Sequence, residues 1–430
     1  MIRAFRASWA RRAALVGVMG GAALGIAAAA SAQRVEPGRP RTVIVGASRA
    51  LAPTDRVDAR RSGFSRTRLP ASGLRTSFRH AFEQVIEHAP LVLDDGSIAV
   101  VVNRNELVLL AGDRTPKYVG LLGGGALGPL TALSDGTIVA VNSAGEALGV
   151  RHGTVRFRTR LGGERSLAGR VSPLSLEDGG VVVATSTELA ALDAEGSVRA
   201  RASVPEPLAT PLLAARGQVL AVSATGAVYG WIPGREAQKI GTFGAPIDGS
   251  AVLGGPSTLL AVVEGTRLAA MDLAHGTVVT RSSVQAGVYL GPPALQGEVA
   301  HLLSMSPGRT LLVAIDGAGQ ELARHPVSTF APMALSDGGQ LALVAPTHSG
   351  VLVDGAGTVA FATPEGFIGV ASANTGVRLL GETPWATRIT AAGKPRSGNI
   401  VGMAPTRDGF VVVSDTGNLV EVVGAEAAGR

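Results

Sequence analysis

The stretch that decides the fold is Pro90-Leu91-Val92-Leu93-Asp94-Asp95-Gly96, which leads into the apolar runs 98–102 and 107–110. The same phrase, a proline followed by a turn and short apolar runs, recurs along the chain. Further copies begin at Pro129, Pro173, Pro211, Pro246, Pro293 and Pro332. The glycines of the first turns lie at positions 96, 136, 179, 217, 255, 297, 338, 366 and 409. Seven of the eight intervals are 38–43 residues long and one is 28, so the sequence is a repeat array.

Short strands make up each unit. The apolar runs are four to six residues long, rich in Val, Leu and Ile, and bounded by Gly, Asp, Ser or Pro, which is typical of strands in hairpins. No window of 12 or more residues in 90–430 has a helical period. This pattern predicts an all-β fold, a β-propeller of four-stranded blades. We predict eight blades, although the short interval leaves seven or nine open, and we expect the first and last strands to share a blade.

Composition excludes several classes of protein. The 430 residues are 46% hydrophobic and 17% charged, with 58 Gly, which excludes a coiled coil and a disordered chain. Cys is absent, so there is no disulfide, thiolate metal site or lipid-modified Cys. The net charge of +6 comes from the N-terminal part: residues 33–79 carry +8, whereas 80–430 carry −6. We therefore expect no binding of nucleic acid, which favours a basic folded face.

The N-terminus has the layout of a secretory signal peptide. Four arginines precede the uncharged run 13–30, and Ala30-Ser31-Ala32 is an A-x-A cleavage pattern. We predict cleavage between Ala32 and Gln33, and a periplasmic or extracellular location. The alternative is an uncleaved membrane anchor. The expected domains are the signal peptide (1–32), a basic N-terminal arm and lead-in to the first blade (33–85), and the propeller (86–430).

The arm itself divides into two predicted parts. We expect residues 33–55 to be mobile and residues from about 60 to 85 to pack on the propeller. The apolar docking residues of that second part would be Leu69, Leu74, Phe78 and Phe82. The stretch 33–79 is also a candidate for contact with anionic surfaces, the alternative being a plain linker.

One unit and the lead-in resemble a known family. Asp178-Gly179 followed by Leu189-Ala190-Ala191-Leu192-Asp193-Ala194-Glu195-Gly196 resembles the repeat of pyrroloquinoline-quinone-type propellers. Asp58-Ala59-Arg60-Arg61-Ser62-Gly63-Phe64-Ser65 resembles the segment before their first blade. The resemblance, over about 50–430, implies a propeller in one of two branches. The quinone-dependent dehydrogenases carry a cysteine pair and many tryptophans, which this chain lacks. The other branch is the non-catalytic periplasmic scaffold of the outer-membrane barrel-assembly machinery, which is tethered through a lipidated Cys that this chain also lacks.

Motifs for catalysis are weak throughout. The glycines of 123–128 spell G-x-G-x-x-G, but a proline and a strand follow, which indicates an inter-blade loop. Asp415-Thr416-Gly417 occurs once, and aspartic-protease chemistry needs two such carboxylates, so we predict a hairpin turn. We expect no cofactor, no metal site and no catalytic residue.

A cluster of arginines near the second blade is the one candidate binding face. Its residues are Arg151, Arg156, Arg158 and Arg160, with Arg165 and Arg170 nearby. They would face an anionic partner, the alternative being a solvated outer strand.

The sequence thus predicts an exported, monomeric, non-enzymatic binding or scaffold propeller of the bacterial cell envelope. Its partners would be envelope proteins. The alternatives are a hydrolase or lyase with its site in the axial funnel, or a relative of the quinone-dependent dehydrogenases.

Overall fold

A computed structural model of the chain describes the following residues: 50–52, 54, 56–82, 84–162, 171–284, 287–306, 309–329, 350–363, 367–380, 388–389, 395–396 and 400–425. The chain divides into the units 1–36 and 37–430, and the described residues all belong to the second. Strands form its regular structure, and no α-helix occurs among these residues.

Eight sheets arranged in a ring form a β-propeller, as the sequence predicted. Two strands precede the first blade: β1 (Phe64–Ser65) and β2 (Arg75–Ala81). The first blade contains β3 (Leu91–Val92), β4 (Ile98–Val102), β5 (Glu106–Leu110) and β6 (Pro116–Leu121). The second contains β7 (Thr131–Ala132), β8 (Ile138–Val141), β9 (Glu146–Arg151) and β10 (Thr154–Arg160). The third contains β11 (Leu174–Ser175), β12 (Val181–Ala184), β13 (Glu188–Leu192) and β14 (Val198–Ser203).

The next three blades repeat the same order. The fourth contains β15 (Leu213–Ala215), β16 (Gln218–Val222), β17 (Ala227–Trp231) and β18 (Gln238–Thr242). The fifth contains β19 (Val252–Leu253), β20 (Thr258–Val263), β21 (Arg267–Asp272) and β22 (Val278–Ser283). The sixth contains β23 (Val288–Gln296), β24 (Val299–Ser306), β25 (Arg309–Ile315) and β26 (Glu321–Thr329). First strands of successive blades contact one another, so they line the centre of the ring.

The seventh blade explains the irregular interval in the sequence. It contains β27 (Gly350–Asp354), β28 (Val359–Ala362), β29 (Ile368–Ser372) and β30 (Gly376–Leu379), and β1 pairs with β27 in parallel. The run 351–354 is therefore the first strand of this blade, whereas the repeat pattern made it a later one. Residues 330–349, which hold the predicted Pro332 copy, lie outside the described residues. The first turn of this blade lies between β27 and β28, at 355–358, whereas glycine 366 follows β28 in the sequence and lies outside the described residues. The interval of 28 is therefore not the length of a blade.

The two ends of the chain meet in the eighth blade. This blade contains β33 (Ile400–Pro405), β34 (Gly409–Ser414) and β35 (Asn418–Val423), with β2 as its outer strand. Arg75 pairs with Val423 and Ala81 with Asn418 in an antiparallel register. A separate hairpin, β31 (Arg388–Ile389) and β32 (Pro395–Arg396), precedes it. The predicted sharing of one blade by the first and last parts of the chain is confirmed, and the strand of residues 75–81 belongs to the last blade.

Alternation along each central strand builds the core. Val181 and Val183 on β12 pack against the second blade, whereas Val182 and Ala184 pack against the fourth. Because both faces of the strand are buried, the run is apolar at consecutive positions. The largest fully buried side chain is Trp231, whose indole Nε1 donates to the Arg235 carbonyl at 2.9 Å.

The Asp-Gly pairs at 95–96 and 135–136 are turns between the first and second strands of their blades. The carboxylates of Asp95 and Asp135 accept the amide protons of Ser97 and Thr137 at 2.8 and 2.9 Å. The following glycine, with φ of +83° at Gly96, adopts a conformation that other residues rarely take. These contacts confirm turn chemistry at both positions.

Candidate functional site: the centre of the ring

The centre of the ring is occupied by the chain itself. We call residues 50–67 the axial segment; all but Pro53 and Asp55 are among the described residues. Ala52 forms a bridge with Val92 on the first strand of blade one, and Thr54 forms one with Thr131 on that of blade two. The segment thus starts by following the first strands from one blade to the next.

Its second half continues around the ring through backbone hydrogen bonds. The carbonyls of Arg60, Ser62 and Gly63 accept protons from Leu253, Leu295 and Val353 at 3.0, 2.8 and 3.0 Å. These donors lie on the first strands of blades five, six and seven. Thr67 then donates its hydroxyl proton to the Thr406 carbonyl of blade eight at 2.9 Å. The segment that the sequence placed before the first blade therefore touches blades across the whole ring.

A tight turn within the axial segment is held by Asp58. Its carboxylate accepts the backbone N–H groups of Arg60 and Ser62 at 3.1 and 3.0 Å and the Ser62 hydroxyl at 2.8 Å. Gly63 has a φ of +65°, and a Cβ there would lie 3.1 Å from the Cβ of Ala294. Only glycine combines that conformation with that approach to blade six.

Two buried arginines link the segment to three blades. Arg61 is fully buried, and its Nε donates to the Leu212 carbonyl at 3.0 Å while Nη2 donates to the Pro173 carbonyl at 3.1 Å. Arg56 is 7% exposed; its Nε donates to the Arg61 carbonyl at 3.1 Å and its Nη2 to the Pro293 carbonyl. Burial of guanidinium groups is costly unless they are hydrogen-bonded, and these contacts meet that requirement.

Three hydroxyls lie beside Arg61. The Oγ1 of Thr54 is 3.0 Å from that of Thr131 and 3.2 Å from the Ser172 hydroxyl, and it accepts a proton from Arg61. We call Thr54, Arg61, Thr131 and Ser172 the polar hub. It joins the axial segment to blades two, three and four through side chains. Backbone hydrogen bonds join the segment to blades one, five, six and seven, and the Thr67 hydroxyl joins it to blade eight.

The candidate arginines of the second blade lie on its two outer strands. Arg151 pairs with Asp135 at 3.2 Å and Arg158 with Glu146 at 2.6 Å. Arg156 and Arg160 are exposed on β10 and form no ion pair with another described residue. Arg165 and Arg170 lie outside the described residues. Two of these four arginines are thus paired with acidic side chains, and Arg156 and Arg160 present exposed positive charge near the same two acids.

A second group of exposed arginines follows the axial segment. Arg66 and Arg68 precede β2, and Arg75 and Arg79 alternate along it with half-buried side chains. Leu69 is buried between blades seven and eight, and Phe78 and Phe82 pack on the cluster between blades eight and one. The apolar residues predicted for docking therefore do pack on the propeller, and they hold these arginines at its surface.

The start of the arm differs from its prediction. Residues 33–55 were expected to be mobile, but Ala52 is fully buried and Thr54 is 6% exposed, because both are bonded to first strands of the ring. Residues 1–49, including the predicted cleavage site at Ala32 and Gln33, lie outside the described residues. None of the described helices or segments is long and apolar enough to be a helical membrane span.

The remaining motifs are placed in loops. Residues 123–128 connect β6 to β7, and 415–417 connect β34 to β35. Both positions agree with the loop and turn that the sequence predicted. Among the described residues, no group of three or more His, Asp or Glu side chains could hold a metal ion.

Burial perturbs several titratable groups outside the axial segment. Burial and a hydrogen bond to Glu206 raise the pKa of Tyr229 to about 12. That phenol donates to the Glu206 carboxylate at 2.9 Å. Burial also raises the pKa of Asp248. In blade six, burial lowers the pKa of His301 to about 4, and its Nε2 has no hydrogen-bond partner in the described part of the chain.

His301 should make stability depend on pH. The pKa of His301 in the folded chain lies below the unfolded value of 6.5. Between pH 6.5 and about 4, His301 is therefore protonated in the unfolded chain and neutral in the folded chain. The free energy of unfolding is therefore not reduced by His301 above pH 6.5, and it falls by up to about 2–3 kcal/mol as the pH decreases to 4. The Tm of His301→Leu should decrease less between pH 7.5 and 4.5 than the Tm of the unsubstituted chain does. An unchanged dependence of Tm on pH in His301→Leu would contradict this assignment.

Comparison with known proteins shows the fold. No protein-family model matches the chain, and no curated protein matches it. Among solved structures, BamB from Moraxella catarrhalis is 13% identical with a TM-score of 0.55, covering 81% of this chain and 99% of that one. The computationally designed Ika8 protein is 12% identical with a TM-score of 0.55, covering 84% of this chain and 100% of that one. At these identities the similarity is one of β-propeller architecture.

Sequence reasoning missed the polar hub. The residues Asp58 to Ser65 stood out, but their contacts are with main-chain carbonyls more than 100 positions away, as between Arg61 and Pro173. The available signal was chemical. A stretch dense in Arg, Ser, Thr and Gly that repeats nowhere else in the array marks a part of the chain that is not a blade.

Proposed function

We propose that this chain is an exported, non-enzymatic propeller of the bacterial cell envelope that binds other proteins through its surface. The observation that carries the proposal is the occupied centre. In a ring of blades the centre is the concave place best suited to a small ligand, and here the axial segment lies against the first strands there. The surface that remains for binding a partner is the outside of the propeller, including the two groups of exposed arginines.

Three further observations support the proposal. The A-x-A pattern at 30–32 is typical of a cleaved export signal. The propeller resembles BamB in architecture, and the sequence resembles a family with a non-catalytic scaffold branch. The arginines at 66, 68, 75 and 79, together with 156 and 160, are exposed, and exposed arginine is suited to carboxylate and phosphate partners. We propose acidic surfaces of envelope proteins as the partners, with the stretch 33–79 as a further contact for anionic surfaces.

Site-specific photo-crosslinking in the native cell tests the proposal. A photoreactive residue is placed at Arg156, Arg160 or Arg79, and at Val279, an exposed position on the outer strand of blade five. We expect discrete adducts with an envelope protein from one arginine group and none from Val279. Identical adducts from every position, or none from any, would contradict a specific surface. Turnover of ester or polysaccharide substrates by the purified chain would favour the hydrolase or lyase alternative.

Charge reversal gives the matching mutational prediction. Arg156→Glu with Arg160→Glu should change stability by no more than about 0.5 kcal/mol, because both side chains are exposed. The adduct yield at a neighbouring position should fall several-fold, and the remaining yield should become less sensitive to salt. Arg309→Glu, an exposed substitution on blade six, should change neither quantity. An unchanged adduct yield in the double variant would contradict a contact at Arg156 and Arg160 and would favour the group of arginines on and before β2.

A further inference from the structure

The acceptors around Arg61 come from the main chain of separate blades. Pro173 directly precedes the first strand of blade three, and Leu212 directly precedes that of blade four. Their carbonyls receive Nη2 at 3.1 Å and Nε at 3.0 Å. The backbones of blades three and four position these two carbonyls. The acceptors are therefore in place whenever the two blades pack side by side.

The arrangement of these acceptors suits a planar fork of donors. Arg61 directs two nitrogens to two carbonyls, and a third nitrogen donates to the Thr54 hydroxyl. A guanidinium carries five N–H donors in a fixed plane, whereas an ammonium is a compact point charge with three. The Pro173 carbonyl also accepts the Thr131 hydroxyl at 2.7 Å, so its direction is fixed independently of Arg61.

The same device occurs a second time in the ring. Arg56 donates Nη2 to the carbonyl of Pro293, which lies on the first strand of blade six. Pro173 and Pro293 both belong to the prolines that open the repeats. Repetition of one chemical contact, proline carbonyl to arginine, at two blades indicates a property of the repeat unit itself.

We propose that the carbonyls at the starts of blades three and four form a guanidinium-binding site, which Arg61 fills as a tethered ligand. The site selects the planar guanidinium over an ammonium of equal charge. Removal of the side chain leaves a buried space in which the Leu212 carbonyl loses the Arg61 donor and the Pro173 carbonyl keeps only the Thr131 hydroxyl, which is costly. A free guanidinium ion can restore those hydrogen bonds and therefore stabilises the folded state by mass action.

The test is chemical rescue in the full chain. Arg61→Ala should lower the Tm by about 5 °C or more. Guanidinium chloride at millimolar concentrations should raise the Tm of this variant by about half of that loss, although it lowers or leaves unchanged the Tm of the unsubstituted chain. Ammonium and sodium chloride at the same ionic strength should not raise it. Arg60→Ala, the exposed neighbour of the same residue type, should neither lose stability nor respond.

Arg61→Lys supplies the second variant. It keeps the charge but cannot reach both carbonyls, so we expect a loss of Tm close to that of Arg61→Ala. Where Arg61→Ala does not purify as a folded protein, the same salts are compared by its refolding yield from urea. A yield or Tm that guanidinium raises no more than ammonium does would overturn the proposal. A Tm of Arg61→Lys equal to that of the unsubstituted chain would also overturn it.

Discussion

A chain that begins at Gln84 should lose the cooperative unfolding transition that a chain beginning at Ala50 retains. The shorter chain lacks β2, so the edge of β35 is left without its partner across the register from Arg75 to Ala81. Cross-strand pairs contribute about 0.2–1 kcal/mol each, and the lost packing of the partly buried Phe78 and Phe82 adds less for each ring than the about 1.5–3 kcal/mol of a fully buried one. With the axial segment also gone, the loss is comparable to the roughly 5–15 kcal/mol that separates folded from unfolded domains.

Calorimetry and urea unfolding of three chains measure this effect. The chain beginning at Ala50 keeps every contact described above and is the control. A chain beginning at Arg66 keeps β2 but lacks most of the axial segment, so we expect an intermediate Tm. This order separates the closing strand from the segment in the centre. Coincident transitions for the chains beginning at Ala50 and Gln84 would show that neither element stabilises the ring.

The second large effect is expected at the junction of blades eight and one. Arg114 donates Nε to the Glu421 carboxylate at 3.1 Å and Nη1 to the Gly96 carbonyl at 2.7 Å. The two side chains are only 18% and 9% exposed. Ser77 on β2 donates to the same carboxylate at 3.1 Å. Replacing Glu421 by Ala leaves a buried guanidinium without its carboxylate, and we expect a loss of about 3–5 kcal/mol.

A double-mutant cycle isolates that pair. Arg114→Ala with Glu421→Ala should recover part of the loss, because no uncompensated charge is then buried. The matched control is Arg104 with Glu87, a pair at 2.8 Å whose side chains are 64% and 32% exposed. Exposed pairs contribute about 0–1 kcal/mol, so that cycle should show little coupling. Equal coupling in the two cycles would mean that burial of the junction does not matter.

The blades were predictable because each depends on local pattern. A turn glycine and an apolar run, such as Gly96 and 98–102, recur in most copies of the repeat. An error in reading one copy therefore does not change the predicted fold. The prediction failed at blade seven, where the regular spacing is lost between Gly297 and Gly409. There the register of β27 with β28 places the first hairpin of the blade at 350–362, which the spacing of the glycines did not indicate.

The centre of the ring was not predictable from pattern. Arg61 and Thr54 occupy their positions because carbonyls and hydroxyls from distant blades converge on them. No periodicity encodes such contacts, since they involve one copy of the axial segment against several different blades. The arginines of β9 and β10 were predictable in position, but the pairing of Arg151 with Asp135 and of Arg158 with Glu146 required the strand register.

The meeting of β2 with β35 also fixes when the ring can form. Residue 75 is synthesised about 350 residues before its partner, residue 423. At translation rates of about 5–20 residues per second, the early strand waits roughly 15–70 s for its neighbour. Single blades can assemble during that interval, but the closed circle cannot. A membrane channel or a chaperone can therefore bind the chain before the ring closes. The time available for this is set by the position of β35 in the sequence.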